Sequence, residues 1–395
     1  MDFRKEKAVQ IFKKGSIKKI EDGFAVQSQN GKKYYFVNQA FKCNCPDCIM
    51  NKTEVCKHSQ AVKYYLGIEK PDGTTTKVRL TYKQAWKSYN QAQNNEVNLF
   101  DKLLRDLVET VEEPERHGAG RPSLSLKEQL FCSTQKVYSQ LSSRRAKSLF
   151  NNAKDRGLLN KSPHSNAVNK FFNKKDLTPI LHKLISVTSA PLKSVENKFA
   201  IDSSGFRTTN FLEYCNEKHN EKRRKHEYIK AHICVGTKTN VICSVKITQE
   251  NGADSPQFAP LIQTVSDNGF NIEEVTGDKA YNSINNYNTV NELGGKAYIP
   301  YKRNITATVI SGNRGKLWRK MFHYFQLNQE EFNQHYHARS NVETTFHMIK
   351  SKFGDSVKSK NWVAQQNELL AKVLCHNIVV LIHEMYELGI QTKFN

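Results

Sequence analysis

The chain is 395 residues long and carries 60 Lys and Arg against 38 Asp and Glu, a formal net charge of +22. Such an excess favours polyanionic partners through phosphate contacts and counterion release. No apolar run approaches a membrane-spanning length, the richest being Ile378 to Leu381, and Met1-Asp-Phe-Arg-Lys leads into no apolar signal segment; neither a membrane nor a secreted protein is expected. Nine cysteines, four of them within residues 43–56, point to a reducing compartment and a metal site, not to a disulfide framework.

Residues 1–70 read as a small module of ββα type. Gly23-Phe-Ala-Val and Lys33-Tyr-Tyr-Phe-Val are strand-like. Cys43-x-Cys45, Cys48 and Cys56-x-His58 follow, and a helical stretch runs to Leu66. Pro71-Asp-Gly-Thr-Thr-Thr has the turn chemistry of a linker. From Tyr82 to Val111 the pattern is helical, with Phe100, Leu103, Leu104, Leu107, Val108 and Val111 on one face; that face fits either an intramolecular packing surface or a dimer seam. Residues 71–120 are therefore linker and amphipathic helix, closed by a second linker at Glu112 to Pro122.

Residues 121–192 form a region of short basic helices. Ser125-x-x-Glu128 has the form of a capping box, Ser142 and Ser143 precede a helix ending near Gly157, Ser165 to Phe172 is a third, and Asp176-Leu-Thr-Pro opens a fourth. Short helices with basic side chains suit a helix-turn-helix DNA binder, or a helical packing domain with a basic surface. From residue 193 the pattern alternates. Strands are expected at 198–203, 228–235, 241–247, 274–277 and 296–299, with a charged hairpin region at Glu213 to Lys225. Helices are expected near 255–266 and 283–293, and an amphipathic helix from Trp362 closes the chain. This is an α/β layout with a mixed sheet flanked by helices.

Two aspartates stand at the ends of strand-like runs, in Phe199-Ala-Ile-Asp202 before Ser-Ser-Gly and in Val275-Thr-Gly-Asp278 before Lys-Ala-Tyr281. A lone strand-end aspartate is commonly a turn former or helix cap. Here a third carboxylate, Glu343, lies in Tyr336-x2-Arg339-x3-Glu343-x6-Lys350. On one helix those four residues fall within an arc of roughly 60°, with Val342, Phe346, Ile349 and Phe353 forming a separate apolar stripe. Adjacent strands would set Asp202 and Asp278 side by side, where two carboxylates repel unless a cation or proton lies between them. Three such oxygen donors suit a pair of Mg²⁺ ions. Asp254, in Asn-Gly-Ala-Asp-Ser, is a weaker candidate that also reads as a helix cap.

The Tyr336–Arg339–Glu343–Lys350 signature, together with Asp278-Lys-Ala-Tyr281, resembles the DDE transposases of bacterial and archaeal insertion sequences over about residues 120–390, and Arg121-Pro-Ser-Leu-Ser-Leu resembles their usual lead-in. The resemblance implies an RNase H-like catalytic core at 193–395, with Asp202, Asp278 and Glu343 holding Mg²⁺ or Mn²⁺ and Tyr336, Arg339 and Lys350 positioning DNA-end phosphates. It implies double-stranded DNA as partner, in-line attack on a phosphodiester, strand transfer, and a homodimer when engaged with DNA, in a prokaryotic cytoplasm at the nucleoid. The 65 residues between Asp278 and Glu343 leave limited room for the large β-insertion some relatives carry. Cys43-x-Cys45 and Cys56-x-His58, with ten residues between the pairs, resemble the SWIM zinc finger. That implies Zn²⁺ held by Cys43, Cys45, Cys56 and His58, with Cys48 as a competing ligand. A non-catalytic DNA-binding relative and an RNase H-like nuclease or resolvase remain alternatives.

Overall fold

The computed structural model describes residues 3–20, 23–28, 31, 33–50, 55–69, 71, 85–115, 124–208, 218, 228–302, 305, 315–392 and 394. The charged segment expected at Glu213 to Lys225, apart from Lys218, the Arg121-Pro-Ser lead-in, and the linker after Pro71 all lie outside the described residues. The chain divides into two compact units, Met1–Gln84 and Ala85–Asn395.

In the first unit, helix α1 (Phe3–Lys13) precedes strands β1 (Ile17–Ile20), β2 (Gly23–Gln27) and β3 (Tyr34–Asn38), and helices α2 (Pro46–Met50) and α3 (Lys57–Tyr65) follow. The strands form an antiparallel meander in the order β1-β2-β3. The ββα expectation thus gains a leading helix and strand: Ile-Lys-Lys-Ile is too short and too charged to read as a strand without its partner. Gly23 is required where β2 begins, since a Cβ there would meet the Val37 carbonyl at 2.3 Å. Ala8, Ile11, Val26, Val37, Cys56, Ala61 and Val62 form the core.

In the second unit the helices come first. α4 (Trp86–Glu109), α5 (Leu126–Ser139), α6 (Ser143–Asp155), α7 (Ser165–Phe171) and α8 (Leu177–Ser189) precede the sheet. Ser125 caps α5 as its spacing suggested, its Oγ accepting from the Glu128 N–H at 3.2 Å. Glu128 Oε1 accepts the N–H groups of Asn160 and Lys161, at 2.9 and 3.1 Å, tying α5 to the segment between α6 and α7.

Strands β4 (Lys198–Arg207), β5 (Tyr228–Gly236) and β6 (Ile242–Gln249) are followed by α9 (Ser255–Asp267), β7 (Glu274–Gly277), α10 (Ile284–Glu292) and β8 (Lys296–Tyr298). The chain continues through α11 (Lys316–Leu327), α12 (Gln329–Tyr336), α13 (Ser340–Phe353) and α14 (Trp362–Glu387). The sheet order is β6-β5-β4-β7-β8, with β4, β5 and β6 antiparallel and β4, β7 and β8 parallel.

Alternation along β4 divides two cores. Ala200 and Phe206 join Val342, Phe346 and Ile349 of α13 and the α4–α8 helices on one face, whereas Phe199 and Ile201 join Phe258, Leu261 and Ile262 of α9 on the other. The apolar face of α4 is intramolecular: Phe100, Leu103, Leu104, Leu107 and Val108 are buried in the core that α14 also enters.

α14 departs from the amphipathic helix expected. By length and composition it could cross a membrane, but 83% of its most apolar window is buried within the protein, which makes it a core helix. Even its polar residues Asn367, Glu368, Lys372, His376, Asn377 and Glu384 are buried. Burial, with Glu387 and Glu196 nearby, raises the Glu384 carboxyl to about 7. The folded chain then holds this proton more tightly than the unfolded one, so the contribution to stability falls as pH rises from 4.5 through 7. Glu384→Gln should therefore stabilise the protein by about 1–2 kcal/mol at pH 8 and by almost nothing at pH 5, which thermal melts at the two pH values would read.

Candidate functional site

The parallel register of β4 and β7 ends at Ile201↔Gly277. The next residues on the two chains are Asp202 and Asp278, which start side by side at the carboxyl end of β7. Asp202 itself is not a strand end. β4 runs on to Arg207, because Ser203, Ser204 and Gly205 pair with His232, Ala231 and Lys230 of β5. Ser-Ser-Gly has turn propensity, but the antiparallel partner overrides it.

Asp202 is largely buried, and its Oδ1 accepts the Ser203 N–H at 2.8 Å. Burial raises its carboxyl above the usual range, and Asp278 adds to that, against the lowering pull of the Ser203 N–H and Arg339. Asp278 accepts the Lys279 N–H at 2.6 Å and opens a 3₁₀ turn over Lys279–Tyr281.

The signature residues do not share one helix. α12 ends at Tyr336, a 3₁₀ turn covers His337–Arg339, and α13 begins at Ser340. The tighter turn changes the angular step, so the 60° arc does not hold, although the apolar stripe of Val342, Phe346, Ile349 and Phe353 is buried as expected. Arg339 is thereby placed between two carboxylates. Its Nη2 donates to Asp202 Oδ2 and its Nη1 to Glu343 Oε1, both at 2.6 Å. Its Nε is buried and has no hydrogen-bond partner among the described residues.

Glu343 lies in the first turn of α13 with its side chain 58% exposed. Lys350 lies near the end of that helix; its Nζ donates to Ser204 Oγ at 2.8 Å and lies 5.1 Å from the Phe206 ring centroid. Burial lowers the Lys350 ammonium below its ordinary value. Tyr336 stacks on Phe332 at 6.2 Å, and burial raises its hydroxyl.

Asp254 stands just before α9, but its side chain makes no cap hydrogen bond. Its Oδ1 receives Lys230 Nζ at 2.6 Å and the Ser203 hydroxyl at 2.8 Å, and His232 Nδ1 lies 3.3 Å away without a hydrogen bond to it. Burial tends to raise the Asp254 carboxyl, but Lys230, Ser203 and His232 outweigh it and leave it lowered. Ser203 points to the α9 face, opposite Asp202, by strand alternation. Asp254 is therefore an ion-pair partner on that side of the sheet. Lys230 and His232 went unrecognised in the sequence, because only the β4–β5 register brings them to Ser203. Burial pushes His232 down to about 4.

Asp202, Asp278 and Glu343 offer the hard oxygen donors a divalent cation needs. The Arg339 guanidinium spans two of them, Asp202 and Glu343. Among the described residues the group gathered closely enough to hold a metal as it stands is instead Cys43, Cys45, Cys48 and Cys56 in the first unit. His58, expected as a ligand, is not in that group.

No curated protein matches the chain. Among solved structures, a piggyBac transposase in a synaptic complex with hairpin DNA is similar over 75% of this chain and 75% of that chain, at 12% identity and a TM-score of 0.35. Residues 193–378, which include the five-stranded sheet, Arg339 and the three carboxylates, match the transposase DDE domain family.

Proposed function

We propose that the chain is a DNA transposase that binds the ends of its element, hydrolyses a phosphodiester there and transfers the freed strand to target DNA. The observation that carries this reading is Arg339 bridging Asp202 and Glu343 at 2.6 Å each, beside Asp278, inside the segment that matches the transposase DDE domain. The strand order β6-β5-β4-β7-β8, a three-stranded antiparallel meander joined to parallel strands, supports an RNase H-like core. The net charge of +22 supports double-stranded DNA as partner. Engagement of two ends would call for a homodimer, acting in the cytoplasm at the nucleoid.

Asp202, Asp278 and Glu343 would hold Mg²⁺ or Mn²⁺, which supplies charge neutralisation at the phosphate and lowers the pKa of the attacking hydroxyl. The chain's own groups do the rest. Arg339, whose guanidinium stands between two of the carboxylates, would bring a positive charge and charge-assisted N–H donors to a phosphate held at the site. Lys350, held against Ser204, adds positive charge two residues along the strand face from Asp202. Tyr336, half-buried, offers a hydroxyl that stays protonated and can donate to phosphate.

The test is strand cleavage of duplex DNA carrying the ends that flank the gene, in Mg²⁺ or Mn²⁺. Metal-dependent nicking at an end is the expected result. Tight end binding without cleavage in any divalent metal would favour a non-catalytic DNA-binding protein, and cleavage of branched DNA without preference for the ends a resolvase-like nuclease.

In the first unit we assign Zn²⁺ to the cysteine cluster. Soft thiolates in this number suit that ion, and it would stabilise a module with so small a core.

A further inference from the structure

The SWIM-like spacing names three cysteines and His58 as ligands, but the fold gathers a different four. The sulfurs of Cys43, Cys45, Cys48 and Cys56 all lie within 4.8 Å of one another. Each is set by an ordinary local feature. Cys43 bridges to Val37 at the end of β3. Cys45 precedes α2, and the Cys48 N–H donates to the Cys45 carbonyl at 3.0 Å, so the Cys-Pro-Asp-Cys turn brings both sulfurs to one side. Cys56 caps α3, its Sγ accepting the Ser59 N–H at 3.5 Å. Cys43, Cys45 and Cys56 are buried, and Cys48 closes the cluster from its more exposed side.

His58 stands behind the cluster. It is 2% exposed, its ring packs on Tyr35 with centroids 4.8 Å apart, and its Nδ1 lies 3.8 Å from Cys56 Sγ. In the tautomer protonated at Nδ1 the ring can donate to this sulfur, the outer partner that metal-bound side chains commonly have.

We propose that the zinc site is a Cys₄ site in which Cys48 takes the fourth position, and that His58 is a positioning residue hydrogen-bonded to Cys56. The inference rests on the zinc reading above and goes beyond it in the ligand set. Four thiolates around Zn²⁺ leave a net charge of −2. The His58 N–H and the N-terminus of α3 at Cys56 offset part of it, which gives His58 a reason to be buried here without being a ligand. On binding, each thiol proton still present passes to solvent and the sulfur lone pair goes to the metal.

The experiment uses the full chain, loaded with Zn²⁺ for stoichiometry and with Co²⁺ for spectroscopy. The expected result is about one Zn²⁺ per chain and a tetrahedral Co²⁺ spectrum. The thiolate-to-cobalt charge-transfer band should fall by roughly a quarter in Cys48→His and stay at full intensity in His58→Gln, whose Zn²⁺ affinity drops about 10–100-fold. A band unchanged in Cys48→His, with tetrahedral geometry lost in His58→Gln, would overturn the ligand set in favour of Cys₃His. Alkylation of the unaltered zinc-loaded protein gives the same decision without a variant: Cys48 protected with the other three supports the Cys₄ site, and Cys48 alone labelled overturns it. Failure to bind either metal would overturn the zinc reading itself.

Discussion

Asp202→Asn is expected to lower metal-dependent cleavage at the element ends by about a thousandfold or more, with Glu343→Gln close behind. The two substitutions remove charge from different places. Asp202 is mostly buried, and burial already resists its ionisation, so the amide costs the fold little while removing a donor next to Asp278. Glu343 is 58% exposed and loses one arm of the Arg339 bridge, worth at most about 1 kcal/mol at such exposure. Both variants should therefore melt within a few degrees of the parent chain and bind end DNA within a few-fold of it. Cleavage measured beside binding, in the same Mg²⁺ or Mn²⁺ buffer, separates chemistry from folding. Full cleavage by Asp202→Asn would sink the assignment of that carboxylate, whatever the remaining residues do.

Arg339→Gln should behave differently from either carboxylate change. The guanidinium links Asp202 to Glu343 and carries a buried Nε without a partner among the described residues. Removing it would free both carboxylates for a cation while taking away the proposed phosphate contact. Calorimetry should show Mn²⁺ binding about 3–10-fold tighter in the absence of DNA, with end binding weakened by a similar factor. Weaker Mn²⁺ binding would mean that Arg339 organises the carboxylates and does not compete with the ion.

The sheet was legible because its strands are rich in β-branched and aromatic residues bounded by turn signals; Glu274–Gly277 is the same four residues in pattern and structure. Asp202 and Asp278 could be paired in advance because the pattern places both beside the ends of apolar runs. Two things were not legible. Ser203-Ser204-Gly205 read as a turn because local propensity does not include β5, whose pairing arises from a strand more than twenty residues away. The break at His337–Arg339 was hidden because nothing in Tyr-His-Ala-Arg-Ser forbids an α-helix; contact with β4 and β7 accompanies the tighter turn. The Lys230–Asp254 pair was missed for the first of these reasons. A single sequence carries no sign that a strand residue and a polar residue at a helix start will meet in the fold.

Lys372→Met should be the most destabilising single change in the second unit's polar core, by about 3 kcal/mol. Lys372 is 3% exposed, and its Nζ donates to the carbonyls of Phe353, Gly354 and Ser356 at 2.7, 2.8 and 2.7 Å. These acceptors lie at the C-terminal end of α13, the helix that carries Glu343 and Lys350, and in the segment that extends the sheet beside β4. There Arg207 donates its N–H to the Asp355 carbonyl and accepts that of Val357, at 3.0 and 2.8 Å. Methionine fills the volume but leaves three carbonyls without this donor, so α13 should fray from its far end, and hydrogen exchange over residues 350–357 should accelerate before the unit melts. The pH dependence has a definite sign. Burial brings the ammonium from 10.5 down to about 8, so between those values the folded chain sheds a proton that the unfolded chain keeps, and this group's contribution to stability rises with pH. The deficit of Lys372→Met should accordingly widen between pH 8 and 10. A deficit that closes over that interval would mean that the three carbonyls hold the ammonium charged, and that the amine form is the weaker anchor for the helix bearing Glu343.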